Sequence, residues 1–440
     1  MGSIILSSAL LILCIALFVV LCYRGFGPIP CAILCSIIMA VVAEGGFWNA
    51  LFNVWVQGAM GFCGNMILPF LTGGIFGHFL NITGASDRLG SWLVTKTGPR
   101  FSVYCIALLT GILLYAGVMS YVFVVAYVGC GILRAANLPR QVGLAIMCGY
   151  GAVFITCLPG SAFVVNLVPT FTLGTDIYAA PLIGITCAIV AIVIITIYVE
   201  MLIRACRKDG AGYVPMDGED GAARPESDMP SVMIVLISLL IVVVGSLILI
   251  KGVGLNSQYA LFATQIIASV FLLITCRKYI HTKHDHGILN EFFHGTQSAL
   301  QPLIASSAVT GFASVVALSP MYGAMLGWLG SLNMNPYVLT VIGVAIICAI
   351  SADCIGGLSA FMALLAPQII AQGADPSAVH RLATVTSGTF DSLPHNGNVN
   401  IALQVWGLNH REGYKHIFWT QTLLPCVFAI VGCILAILLY

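Results

Sequence analysis

The sequence predicts an all-α polytopic membrane protein made of two inverted repeats, and three observations predict it. The 440 residues are 60% hydrophobic and 8% charged, with mean hydropathy +1.03. Apolar runs long enough for a bilayer core recur along the chain, among them Ile4 to Leu21, Ile183 to Val199 with its flanks, and Val232 to Ile250. Two polar clusters, CLPGSAFVVN at Cys157 to Asn166 and SLPHNGNVN at Ser392 to Asn400, interrupt this pattern 235 positions apart by their Leu-Pro pairs. Other landmarks repeat at similar spacing: Tyr23 to Gly27 with Ile250 to Gly254, Gly58 with Gly295, Trp92 with Trp328, Pro139 with Pro376, and Pro159 with Pro394. Their offsets run from 227 to 237, as an old duplication with small insertions leaves them.

The order of elements follows. Residues 1–203 form the first transmembrane repeat, 204–230 a charged, glycine-rich cytoplasmic linker, and 231–440 the second repeat. The first apolar run follows Met1, Gly2 and Ser3 without a basic segment and ends at Tyr23-Arg24, so it reads as a retained span. Each repeat is expected to hold three spans, a re-entrant helical hairpin, a broken span and a final span. Five crossings per repeat invert the second relative to the first. The hairpins fall at about 101–134, turning at Tyr115 to Ser120, and at about 336–372, turning at Ser351 to Ser359. With the amino terminus outside, fifteen of the seventeen lysines and arginines face the cytoplasm, and only Lys251 and Arg381 lie outside. Pro69 and His78 in the long third span read as a kink and a buried, satisfied histidine.

Several functions are excluded. The net charge of +1 resides in loops, with no basic face for nucleic acid. The sixteen cysteines are scattered singly through apolar spans and read as packing residues, including the helically spaced Cys31 and Cys35. The His281 to His286 loop, HTKHDH, reads as solvated rather than coordinating, and no metal or cofactor is expected.

The two clusters carry the chemistry. An unwound backbone with bare polar side chains survives at membrane depth only where it lines a cavity or ligand site, and paired broken helices mark a transporter's binding site. Half-helix amino termini at the hairpin turns and breaks favour a carboxylate, so the expected ligand is a small anion. Its expected contacts are Gly117 and Ser120 on the first hairpin, and Gly160, Ser161 and Asn166 at the first break. From the second repeat come Ser351, Gly356, Gly357 and Ser359 on the hairpin, and His395, Asn396, Asn398 and Asn400 at the break. Asp391, Asp353 and His395 are the candidate proton carriers. Each has a plainer role: Asp391 could cap the break, His395 could bond across it, and the asparagines could satisfy freed backbone groups. Glu44 and Glu200 lie near span ends, where solvated carboxylates are ordinary. With no arginine or lysine expected inside the membrane, a short hydroxy-monocarboxylate fits better than a dicarboxylate. A channel would need a continuous polar pore. An intramembrane hydrolase built on Ser387, Asp391 and His395 would confine its chemistry to nine residues of one repeat.

Four stretches, TFDSLPHNGNV at Thr389 to Val399, GLNHREGYKHIF at Gly407 to Phe418, GGLSAFMALLAP at Gly356 to Pro367 and LPGSAFVVNLVPT at Leu158 to Thr170, carry a resemblance. Through them nearly the whole chain resembles the gluconate:proton symporter family of the ion-transporter superfamily, particularly its hydroxybutyrate-permease-like branch. The resemblance implies proton-coupled uptake of small organic, sugar or hydroxy acids across the bacterial cytoplasmic membrane. It also implies an elevator-type carrier, with scaffold and transport subdomains, built as a homodimer. Sodium coupling, exchange and di- or tricarboxylate substrates are the alternative. Two departures bear on the substrate: Ala162-Phe163 and Val165 make one wall more apolar than the branch's usual pattern, and Asp353 adds a carboxylate at the second hairpin turn.

Overall fold

The computed structural model describes residues 2–117, 121–216, 224–280 and 287–440, and every regular element among them is helical. Helices α1 (Gly2–Tyr23), α2 (Pro28–Ala40) and α3 (Phe47–Ile82) come first. Next, α4 (Ala85–Phe101) turns through 107° into α5 (Tyr104–Tyr115), at Gly98 and Pro99. Helices α5 and α6 (Tyr121–Ala136) are the arms of the first hairpin. Its turn, with Ser120, lies outside the described residues. After α7 (Arg140–Cys157) the chain unwinds through residues 158–163, resumes as α8 (Val164–Leu173) and continues into α9 (Pro181–Lys208).

The second series has the same order. Helices α10 (Val232–Ile250), α11 (Ser257–Thr275) and α12 (Ile288–Ala317) are followed by the short α13 (Pro320–Ser331). The hairpin α14 (Pro336–Ser351) and α15 (Cys354–Leu364), extended by α16 (Ala366–Ala371), comes next. Then α17 (Pro376–Ser387), an unwound stretch over residues 388–396, α18 (Gly397–Val405) and α19 (His410–Leu439) complete the chain. The landmarks fall on elements of matching rank: Trp92 on α4 and Trp328 on α13, Gly58 on α3 and Gly295 on α12, Pro159 and Pro394 in the two unwound stretches.

By length and composition, eight described helices can cross a membrane, or nine if the bent α4–α5 pair is one span. Ten crossings were expected. The shortfall has a physical cause: the 13 residues of α2 rise only about 20 Å, and α17 and α18 are short halves of one interrupted span. Helices α1 and α10 are apolar on every face and largely exposed, as lipid contact requires.

The broadest helix contact joins α3 to α12. A Cβ added at Gly74 would stand 2.5 Å from the Gly295 carbonyl oxygen, so only glycine permits this approach. Gly58 meets Ser314 while Gly74 meets Gly295 and Ala299; numbers rise on one helix as they fall on the other, and the two run antiparallel. His78 pairs with the buried Glu291 at 2.7 Å across the same seam. The linker is docked along its described parts rather than free. The Tyr213 N–H donates to Asn137 Oδ1 (3.2 Å), Arg224 donates to the Ile82 carbonyl (2.9 Å), and Glu226 pairs with Arg88 (2.9 Å). Among the described residues no two cysteines form a disulfide, and His281 to His286 lie outside the described residues.

Candidate functional site

Each hairpin is stitched to the unwound stretch of its own half. In the first, the Ala162 N–H donates to the Tyr115 carbonyl (3.0 Å) and the Tyr115 hydroxyl to the Pro159 carbonyl (2.9 Å). Gly160 adopts φ +84° there, against Tyr115 and Tyr178, where a side chain would collide. Gly117 has φ +83° and abuts Ala162. In the second, Asn396 caps α18 by accepting the Val399 N–H (2.9 Å). Its amide donates to the carbonyls of Ala352 at the hairpin turn (2.6 Å) and of Asp391 (2.7 Å).

Between these stitched pairs lies a cavity of about 90 Å³. Leu114, Tyr121 and Val122 reach it from the first hairpin, Ile155 and Phe163 from either side of the first break. Cys354 and Ile355 come from the second hairpin, and Asp391, Ser392 and Asn398 from the second break. Phe62, Met66 and Phe70 of α3 add an apolar wall, and Gln421 of α19 a further amide. Such a volume holds ordered water but falls short of the roughly 300 Å³ at which ligand pockets begin. Among the described residues Asp391 is the one acidic residue lining the cavity, its carboxylate accepting the Ser392 hydroxyl at 2.9 Å.

Other expected contacts lie elsewhere. Asp353 caps α15, accepting the Gly356 N–H at 2.6 Å. Ser351 bonds back to its own helix, Gly357 packs against Cys348 inside the hairpin, and Gly356 and Ser359 are exposed away from the cavity. Ser161 is buried, accepting from the Phe163 N–H. Asn400 donates to the Asn396 carbonyl and leaves Oδ1 buried without a partner. His395 is buried edge-on between Phe18 of α1 and Phe312 of α12, both ring nitrogens unpartnered.

Two residues have surroundings that differ from the sequence reading. Arg381, placed outside by charge counting, is fully buried in the middle of α17. Its guanidinium donates from Nη1 to Asn166 Oδ1 (2.9 Å), from Nη2 to the Ile177 carbonyl (2.9 Å) and from Nε to the Ala179 carbonyl (3.0 Å). Asn166 is therefore saturated within the chain, its own amide donating to the carbonyls of Ser161 and Ile177. Since Oδ1 can only accept, His380 Nε2 at 3.3 Å carries a proton, and Nδ1 lies 2.7 Å from the Thr175 hydroxyl. The sequence held a signal for this knot in the polar run His380, Arg381, Thr384, Thr386 and Ser387 immediately after Pro376. The cavity-facing Tyr121, Cys354 and Gln421 carried none.

Fold and site together define a multi-span, transporter-like membrane protein. The chain is 25% identical over 465 aligned residues to the uncharacterized transporter YxjC of Bacillus subtilis, an alignment covering 96% of this chain and 98% of that protein. Among solved structures it is similar to the YdaH transporter of Alcanivorax borkumensis, at 16% identity and a TM-score of 0.41, with 96% and 97% of the two chains covered. No known family model matches the chain.

Proposed function

We propose that the chain is a secondary carrier that moves a small organic anion, most simply a short hydroxy- or sugar-acid monocarboxylate, together with protons. The observation that carries this reading is the convergence of two hairpins and two broken spans on one cavity with a single carboxylate among the described residues. Hydrogen-bonding groups gathered at interrupted helices suit a solute that must be bound, occluded and released. Asp391 loads the proton beside the anion and gives it up with the solute.

In this reading, residues 1–203 and 231–440 are inverted repeats joined by the 204–230 linker, and the antiparallel packing of α3 on α12, helices of equal rank, supports the inversion. The hairpins and breaks move together past α1, α3, α10 and α12 as an elevator, in a homodimer in the bacterial cytoplasmic membrane with both termini outside. A di- or tricarboxylate substrate is the second reading, and buried Arg381 favours it, because the expected lack of an internal cation was the reason to set it aside.

The first experiment is a thermal-shift screen of purified protein with gluconate, 3-hydroxybutyrate, lactate, glycerate, citrate and succinate, since a ligand of the folded state raises the melting temperature by mass action. Proteoliposomes with an inward proton gradient in sodium-free buffer then test coupling. Gradient-independent, sodium-requiring uptake refutes the proton assignment, and preference for succinate or citrate over every monocarboxylate selects the second reading.

A further inference from the structure

We infer that Arg381 is the counter-charge of the transported anion, held on Asn166 outside the cavity and acting on it through space. The inference rests on the anion-carrier reading above. Among the described residues no carboxylate pairs with this guanidinium, although the side chain is fully buried. Its three hydrogen-bond acceptors are all neutral: one side-chain amide and two backbone carbonyls. Hydrogen bonds of this kind hold a cation in place without cancelling its charge, and Asp176, on the loop that supplies both carbonyls, is exposed and forms no ion pair with it. Gly184 of α9 packs closely beside this arginine: an added Cβ would stand 2.5 Å from the Cys157 carbonyl oxygen and 3.1 Å from Arg381 Cδ.

The position suits action at a distance. Six residues of α17 separate Arg381 from Ser387, a rise of roughly 9 Å, and four more lead to Asp391 on the cavity wall. A unit charge on the order of 10–15 Å from a bound anion, at an effective dielectric constant near 20, strengthens its binding by roughly five- to fifteenfold. The effect multiplies with ligand charge: what a monoanion gains once, a dianion gains squared.

The test compares Arg381→Lys, Arg381→Gln and Asn166→Asp by thermal-shift titration of the purified protein with 3-hydroxybutyrate and succinate at neutral pH. Arg381→Lys keeps the charge and loses the fork, so its affinities stay within about threefold of wild type. Arg381→Gln weakens monoanion binding by roughly five- to fifteenfold and dianion binding by about the square of that factor. Asn166→Asp leaves the arginine in place and sets a carboxylate on it, with loss of the amide's donation to the Ser161 and Ile177 carbonyls, and reproduces the glutamine result; Arg381→Met, an apolar side chain of similar length, also reproduces it and keeps the test available where either polar variant fails to fold. Equal losses in the lysine and glutamine variants, or wild-type affinity in Asn166→Asp, overturn the inference and make Arg381 a mechanical pin. Binding of neither probe to wild type removes the anion-carrier reading and the inference with it, an outcome distinct from failure of the variants alone.

Discussion

The two unwound stretches occupy matching places in the chain and are put to different uses. At the first, Leu158 to Phe163, the polar atoms turn inward: Ser161 is buried, and Asn166 is consumed by Arg381, His380 and two carbonyls. The second, Gly388 to Asn396, keeps Asp391 and Ser392 on the cavity and, at the second residue of α18, places Asn398 beside it. One break has become a clamp around a fixed charge. The other leaves its polar groups on the cavity wall, so two stretches at matching places in the chain differ in use.

That division can be broken at four points, from the largest expected effect to the smallest. Asp391→Asn should abolish accumulation driven by a pH gradient in proteoliposomes while solute exchange persists; retained gradient-driven accumulation would move proton loading to another group. Asn166→Ala should lower stability by about 2–3 kcal/mol, measured by unfolding in detergent, because a charged donor and a buried imidazole lose their acceptor. An unchanged melting temperature would show that the first break is no clamp. Asn398→Ala should leave stability unaltered and weaken ligand binding by roughly two- to tenfold, the worth of one hydrogen bond, in thermal-shift titration. Equal effects of the two asparagine changes on stability would erase the distinction between the breaks. Ser359→Ala, at an exposed serine bonded to its own helix, should change stability by less than about 0.5 kcal/mol and ligand affinity not at all.

Much of this arrangement was legible in the sequence because interrupted spans leave a strong mark. Proline, glycine and amide residues crowd into an apolar run where the helix must stop and its freed backbone groups need partners, and the breaks and hairpins lie where those residues placed them. The use of each amide was harder to read. Asn166 and Asn398 look alike in a string, and only the neighbour decides: a guanidinium claims one, and a cavity opens beside the other. Counting positive charges assigns Arg381 a side of the membrane and gives no account of its burial, because it treats a charged residue near a helix start as wet. Helix α17 is 12 residues long and polar along one side, so hydropathy gives no sign that protein surrounds it completely. Asp353 beside a glycine pair looked like a titrating group, and the sequence equally allowed the helix cap it forms.

The glycine-lined seam between α3 and α12 has a use at the bench. With no room for a side chain at Gly74, these two helices cannot slide or separate without losing contact along much of their length. They are the molecule's natural ruler. A pair of spectroscopic labels on their exposed faces should report one unchanging distance whatever the solute or pH, and motion elsewhere can be read against that fixed baseline.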